Sequence, residues 1–161
     1  MFKYVLFSSL TFSSLFGGDI IPSKFISTEF ALDIAKEALT ECRNNGYQVS
    51  AVVVDRAGNL QVALRDVYAS RFTTEIAQRK ANTVILSGID SGIFRKNRED
   101  IRQELNHIDG IIMMEGGLPI EAGGAFLGAI GVSGAPGADK DAACAKAALK
   151  AFEERLIFAS E

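Results

Sequence analysis

The chain of 161 residues contains one histidine, two cysteines, three prolines and no tryptophan. With a single histidine and no partner motif around it, no serine or cysteine nucleophile has a base in view, so no catalytic constellation is expected. Cys42 and Cys144 lie about a hundred positions apart, whereas metal frameworks need closely spaced ligand pairs. Basic runs are missing, and 17 Lys and Arg against 20 Asp and Glu give a formal charge of −3. That balance excludes the electropositive footprint of a nucleic-acid binder. No apolar run is long enough to span a bilayer. Internal repeats and low-complexity segments are absent as well.

What is present fits one globular domain. The mass is 17.3 kDa, with 48% apolar and 23% charged residues, enough for a core and too little for a second domain. Lys3 precedes an uncharged apolar run from Tyr4 to Phe16, the pattern of a secretory signal. Residues 1–24 are therefore read as signal peptide and linker, residues 25–161 as the domain, and the location as periplasmic or secreted. An N-terminal arm or strand is the alternative, because Leu15 and Phe16 fit a cleavage site poorly.

Ser27 or Thr28 caps a helix running to Asn44, with Ala31, Ile34, Ala35, Ala38, Leu39 and Cys42 on one stripe. Asn45 and Gly46 end it. Residues 48–54 and 60–65 flank a glycine-bearing turn and read as a hairpin. Ser70 caps a second helix, in which Ile76, Ala77, Lys80, Ala81, Val84 and Ile85 keep helical spacing. A charged helical segment with a wet face covers 93–105. Residues 111–114, 118–121 and 125–132 read as three further strands, and a final helix opens at Ala138 or Asp139 and keeps its period to Leu156. The result is an α+β domain with a five-stranded antiparallel meander between terminal helices. Each cysteine falls inside a helix, where a buried free thiol is the usual state; a disulfide would need the first and last helices side by side.

Eight of the fifteen glycines fall between Glu115 and Leu149. Clustered glycine is costly on folding unless backbone passes close to another backbone, another subunit or a flat ligand. The stretch GAIGVSGAPGADKD leads into a helix, yet it lacks the Lys-Ser/Thr ending of a phosphate loop. Asp139 and Asp141 put negative charge where a phosphate would sit, so they act as acidic caps.

VVDRAGNL at 53–60, the Arg65-Asp66 step, Ala77, Lys80, Ala81 and Thr83 on the second helix, EGGLPI at 115–120 and GAIGVSGA at 128–135 arrive in a fixed order. In that order the chain resembles the GlcG/HbpS-like family over residues 27–152. The resemblance implies a profilin-like fold, a five-stranded antiparallel sheet with helices on both faces. It also implies a homo-oligomer of dimers, often an octamer. Some exported members bind haem, a related domain ends PduO-type corrinoid adenosyltransferases, and others accompany glycolate-use enzymes.

Haem as the implied cofactor requires an axial ligand, an apolar slot and cations for the propionates. His107 is the candidate iron ligand by elimination, although a lone histidine in a polar turn is commonly just solvated. Met113 or Met114 offers a thioether, but adjacent strand residues face opposite ways, and core filling is the commoner role. Thr73, Thr74 and Tyr68 come third. Arg65, Arg71, Arg79 and Lys80 are candidates to hold propionates or a small organic acid such as glycolate, or simply form a wet helix face. Gly116, Gly117, Gly131 and Gly134 admit either a planar ligand or tight strand and subunit contact. Three expectations follow: an exported haem binder, a non-haem accessory protein for a small carboxylate, or an assembly module without a ligand. Haem breakdown enters only as a consequence of binding.

Overall fold

The computed structural model describes residues 23–158. The expected signal peptide therefore lies, apart from residues 23 and 24, outside the described residues. Helix α1 (Thr28–Asn44) opens where the Ser27 hydroxyl accepts the Phe30 amide at 3.2 Å. It is followed by Gly46 in the left-handed region, φ 78°, as the helix-stop pattern demands. Its expected stripe, from Ala31 to Cys42, is buried throughout.

Strands β1 (Ser50–Asp55) and β2 (Leu60–Arg65) form the hairpin. Its turn is tied by Asp55, whose Oδ1 accepts the amides of Ala57 at 2.8 Å and Asn59 at 2.9 Å. Burial pushes the Asp55 carboxyl up, but these bonds and those from the Asn59 and Gln61 side chains outweigh it and hold it below its ordinary range. Helix α2 (Thr73–Ser87) starts later than expected. The Ser70 carbonyl, not its hydroxyl, receives the Thr73 amide and hydroxyl. The segment expected to be one wet helix breaks into α3 (Ser91–Asn97), a 3-10 turn (Glu99–Ile101) and α4 (Arg102–Leu105).

Strands β3 (Gly117–Ala122) and β4 (Ala125–Ser133) pair antiparallel around Gly123 and Gly124, both at positive φ. A two-residue hairpin loop with both residues left-handed needs glycine or asparagine there. The last helical stretch divides at Phe152 into α5 (Ala138–Ala151) and α6 (Glu153–Phe158).

The described sheet has four strands in the order β2-β1-β4-β3, which corrects the five-stranded meander. The lost strand is 111–114. Its backbone is satisfied by side chains instead: the Thr83 hydroxyl bonds both the amide and the carbonyl of Ile112, and Asn106 Oδ1 accepts the Met113 amide. Groups so occupied have no need of a ladder. The α+β class and the helices on both faces stand.

Strand β1 is buried on both faces, and its alternation sorts the two cores. Ala51 and Val53 join α1 and α5 on one side, with Ile120, Ile130 and Val132. Val52 and Val54 join Ala77, Ala81 and Val84 of α2 on the other. Helices α1 and α5 lie side by side, and Cys42 and Cys144 form a disulfide between them across a Cα–Cα distance of 5.4 Å. The expectation of free thiols is corrected; the geometric condition for a bond is met.

Candidate functional site

Strand β4 places Gly131 between Val52 of β1 and Gly117 of β3, so the α2 side of the sheet carries a bare trough. Helix α2 fills it. A Cβ built on Gly131 would lie 1.9 Å from the Ala77 carbonyl oxygen, and one on Gly117 would lie 2.3 Å from that of Lys80. The neighbour pressed on these glycines is a helix of the same chain. A porphyrin resting on Gly117 or Gly131 would have to occupy space that α2 already holds.

Lys80 departs furthest from the sequence reading, which set it on a wet helix face. Its side chain is 0% exposed. The Nζ donates to Asp141 Oδ2 at 2.7 Å and to the Val132 carbonyl at 2.9 Å. The ammonium passes beside Gly116, where a Cβ would lie 2.8 Å from Nζ. Asp141 Oδ1 accepts the Ala135 amide. The pair thus ties α2 on one face of the sheet to the first turn of α5 on the other. Burial pushes the Lys80 ammonium below its ordinary range, against the attraction of Asp141 and Glu115. Burial likewise pushes the Asp141 carboxyl up, against the pull of Lys80. Lys80, Gly116 and Gly117 do come together, but as an interior tie that no solvent-borne ligand reaches. The sequence held a signal for this: Lys80 sits on the stripe of Ala77, Ala81 and Val84, at i, i+4 and i+7 from Ala77 with Lys80 at i+3.

His107 stands exposed after α4, its amide donating to the Glu104 carbonyl at 3.0 Å. The segment that follows is clamped on α2, where Asn82 Nδ2 donates to the Gly110 carbonyl at 2.9 Å. A pocket of about 310 Å³ opens there, with Ile85, Leu86, Asp109, Gly110 and Ile111 among its walls. Ile108 and Leu86 are exposed beside it. Arg79 lies on the same helix face as Asn82, three residues earlier, and pairs with Glu75 at 2.6 Å. Met113 is buried, 3% exposed, as core filling; Met114 is the exposed one of the two.

The remaining candidates scatter. Arg71 stacks over the Phe72 ring at 4.1 Å. Arg65 is spent on the turn that precedes α2, its Nη1 donating to the carbonyls of Asp66, Val67 and Ala69. Thr73 and Thr74 share the Ser50 hydroxyl at 2.8 and 3.0 Å. Tyr68 is exposed. Among the described residues no cluster of three or more His, Cys, Asp or Glu is arranged to hold a metal ion.

A family described as "Haem degrading protein HbpS-like" matches residues 26–150. Protein GlcG of Escherichia coli strain K12 is 31% identical over 108 residues, which span 67% of this chain and 81% of GlcG. The crystal structure of a double mutant of Streptomyces reticuli HbpS superposes with a TM-score of 0.78 at 30% identity, covering 92% of this chain and 98% of that one. A PduOC:heme complex shares the fold alone, with a TM-score of 0.70 at 21% identity over 80% of this chain and 95% of its own. A match over most of its length, a curated relative and a common fold agree: this chain belongs to the HbpS-like family.

Proposed function

We propose that this protein binds haem, acts outside the cytoplasm and works as a homo-oligomer. The observation that carries the reading is the family match across residues 26–150, joined to a fold shared with HbpS. The residues present fit a haem held against the surface rather than one enclosed. His107 is an exposed imidazole for the iron, Ile108 and Leu86 give exposed apolar surface, and Arg79 of α2 is an arginine candidate for the propionates. A pocket of about 310 Å³ is at the small end for ligand sites, so it would hold only part of a macrocycle. Bound there, haem would supply the redox chemistry. The chain's own part is to orient the ring and limit water.

The Cys42–Cys144 disulfide supports an oxidising compartment, where such bonds persist. Among the described residues no helix is long and apolar enough to cross a membrane. Val67, Tyr68 and Phe72, exposed together ahead of α2, support assembly into a homo-oligomer, up to the octamer the resemblance implies. Hemin added to the purified protein should give a saturable Soret shift at micromolar concentration, and His107→Ala should change that band. No shift in the wild type would remove the haem reading. An identical band in His107→Ala would remove His107 as ligand.

A further inference from the structure

A further pocket, of about 290 Å³, opens between the end of α1 and α5. Lys140, Ala143, Cys144 and Ala147 line it from α5, at i, i+3, i+4 and i+7, so one face of that helix forms the wall. Glu41 and Asn45 close it from α1, at i and i+4, and Tyr47 from the chain that follows. The two halves of the disulfide are therefore not equivalent. Cys144 is 3% exposed and lines the pocket, whereas Cys42 is 0% exposed, sits in the core with Ala38 and Leu39, and is not in the wall.

A cation stands on the Cys144 side. Lys140 is one helical turn before Cys144, a spacing that sets the two Cβ atoms about 5–6 Å apart. Its ammonium lies 5.6 Å from the centre of the Tyr47 ring, and both residues are in the pocket wall. Among the described residues Lys140 makes no ion pair. Glu41 is the one carboxylate in the lining, and it adjoins Cys42 in sequence, not Cys144. Thiol–disulfide exchange requires a thiolate, and a cation beside the sulfur under attack draws thiolate to it.

We propose that Cys144 is a site of S-thiolation, with this pocket admitting a small thiol that carries an acidic group. The incoming thiolate attacks Cys144 Sγ and forms the new S–S bond. The Cys42–Cys144 bond breaks, its electron pair leaves on the Cys42 sulfur, and that thiolate takes a proton from water. The products are a mixed disulfide on Cys144 and a buried Cys42 thiol, and nothing besides the thiol is consumed. Attack on Cys42 is closed off by the core packed around it. The adduct unfastens α1 from α5, and return of the Cys42 thiolate to Cys144 expels the small thiol and restores the link. The site shares no residue with the His107 surface, so it stands or falls apart from haem binding.

Incubation of the wild-type protein with 2-mercaptoethanesulfonate or with cysteamine, at equal thiolate concentration, tests this. Acid quenching and peptide mass mapping should place the mixed disulfide on Cys144 and recover Cys42 as a thiol. The sulfonate should react faster than the amine. Each unit of charge across about 6 Å of water changes such a rate about threefold, so Lys140→Glu, on an exposed side chain, should lower the sulfonate-to-amine ratio by about tenfold or more. Two single variants remove ring closure from the measurement. The Cys144 thiol of Cys42→Ala should take up the sulfonate from its symmetrical disulfide about tenfold faster than the Cys42 thiol of Cys144→Ala does. Equal uptake by the two variants, an adduct of the wild type on Cys42, or an unchanged ratio in Lys140→Glu would each overturn the proposal.

Discussion

Gly131→Ala puts one methyl carbon where the structure has none to spare. The added Cβ would meet the Ala77 carbonyl oxygen at 1.9 Å, the Ala77 carbonyl carbon at 2.9 Å and the Ala81 amide at 2.9 Å. All three are backbone atoms, so no side chain can rotate aside. Helix α2 must instead lift from the sheet, and Val52, Val54, Ala129 and Val84 lose contacts as it does. Overpacking of a tight core costs about 1–3 kcal/mol, and a clash with helix backbone belongs at the upper end. In a chain of this size a loss of about 3 kcal/mol lowers Tm by about 6–12 °C. Urea unfolding followed by far-UV circular dichroism, at fixed protein concentration so that any assembly contributes equally, measures it. Gly124→Ala is the control: its φ is +75° but nothing lies within 4 Å, so it should cost only about 1 kcal/mol of backbone strain. If Gly131→Ala is no more destabilising than Gly124→Ala, the close approach of α2 is not what the glycine serves.

Lys80→Ala leaves Asp141 buried without its cation and should cost about 3–5 kcal/mol in the same assay, whereas Lys80→Met combined with Asp141→Leu should recover most of that. A double variant as unstable as the single one would show that the ion pair is not the source of the loss. The disulfide closes a sequence separation of 102 residues; Cys42→Ala with Cys144→Ala should lower stability by about 2–5 kcal/mol, and a reductant should then have no further effect on Tm. An unchanged midpoint after reduction of the wild type would argue that the bond contributes nothing.

Local pattern carried much of the fold. The stripe of α1, its Ser27 cap, the turn at Gly46 and the β1–β2 hairpin all depend on residues within a few positions of one another, and each is where the pattern put it. The segment 111–114 has the apolar, β-branched wording of a strand, but its amides and carbonyls are claimed by Thr83 and Asn106, partners that spacing does not reveal. Lys80 was legible in part, since its position on an apolar stripe announced burial; Asp141, 61 positions away, did not announce itself as its partner. The arginines were grouped by nearness in sequence. The structure separates them by giving each its own partner: Arg65 the carbonyls of Asp66, Val67 and Ala69, Arg71 the Phe72 ring and Arg79 the Glu75 carboxylate.

The amino-acid sequence by itself determined the helix and strand periods, the turns and the family, since these rest on short-range sterics, capping and an ordered set of motifs. Only the tertiary structure decided the strand order β2-β1-β4-β3, the bond between Cys42 and Cys144 and the burial of Lys80 against Asp141. The reason is physical. Which face meets which neighbour is settled by how whole layers pack, and a charge becomes a tie or a ligand site only once packing has removed or left its water.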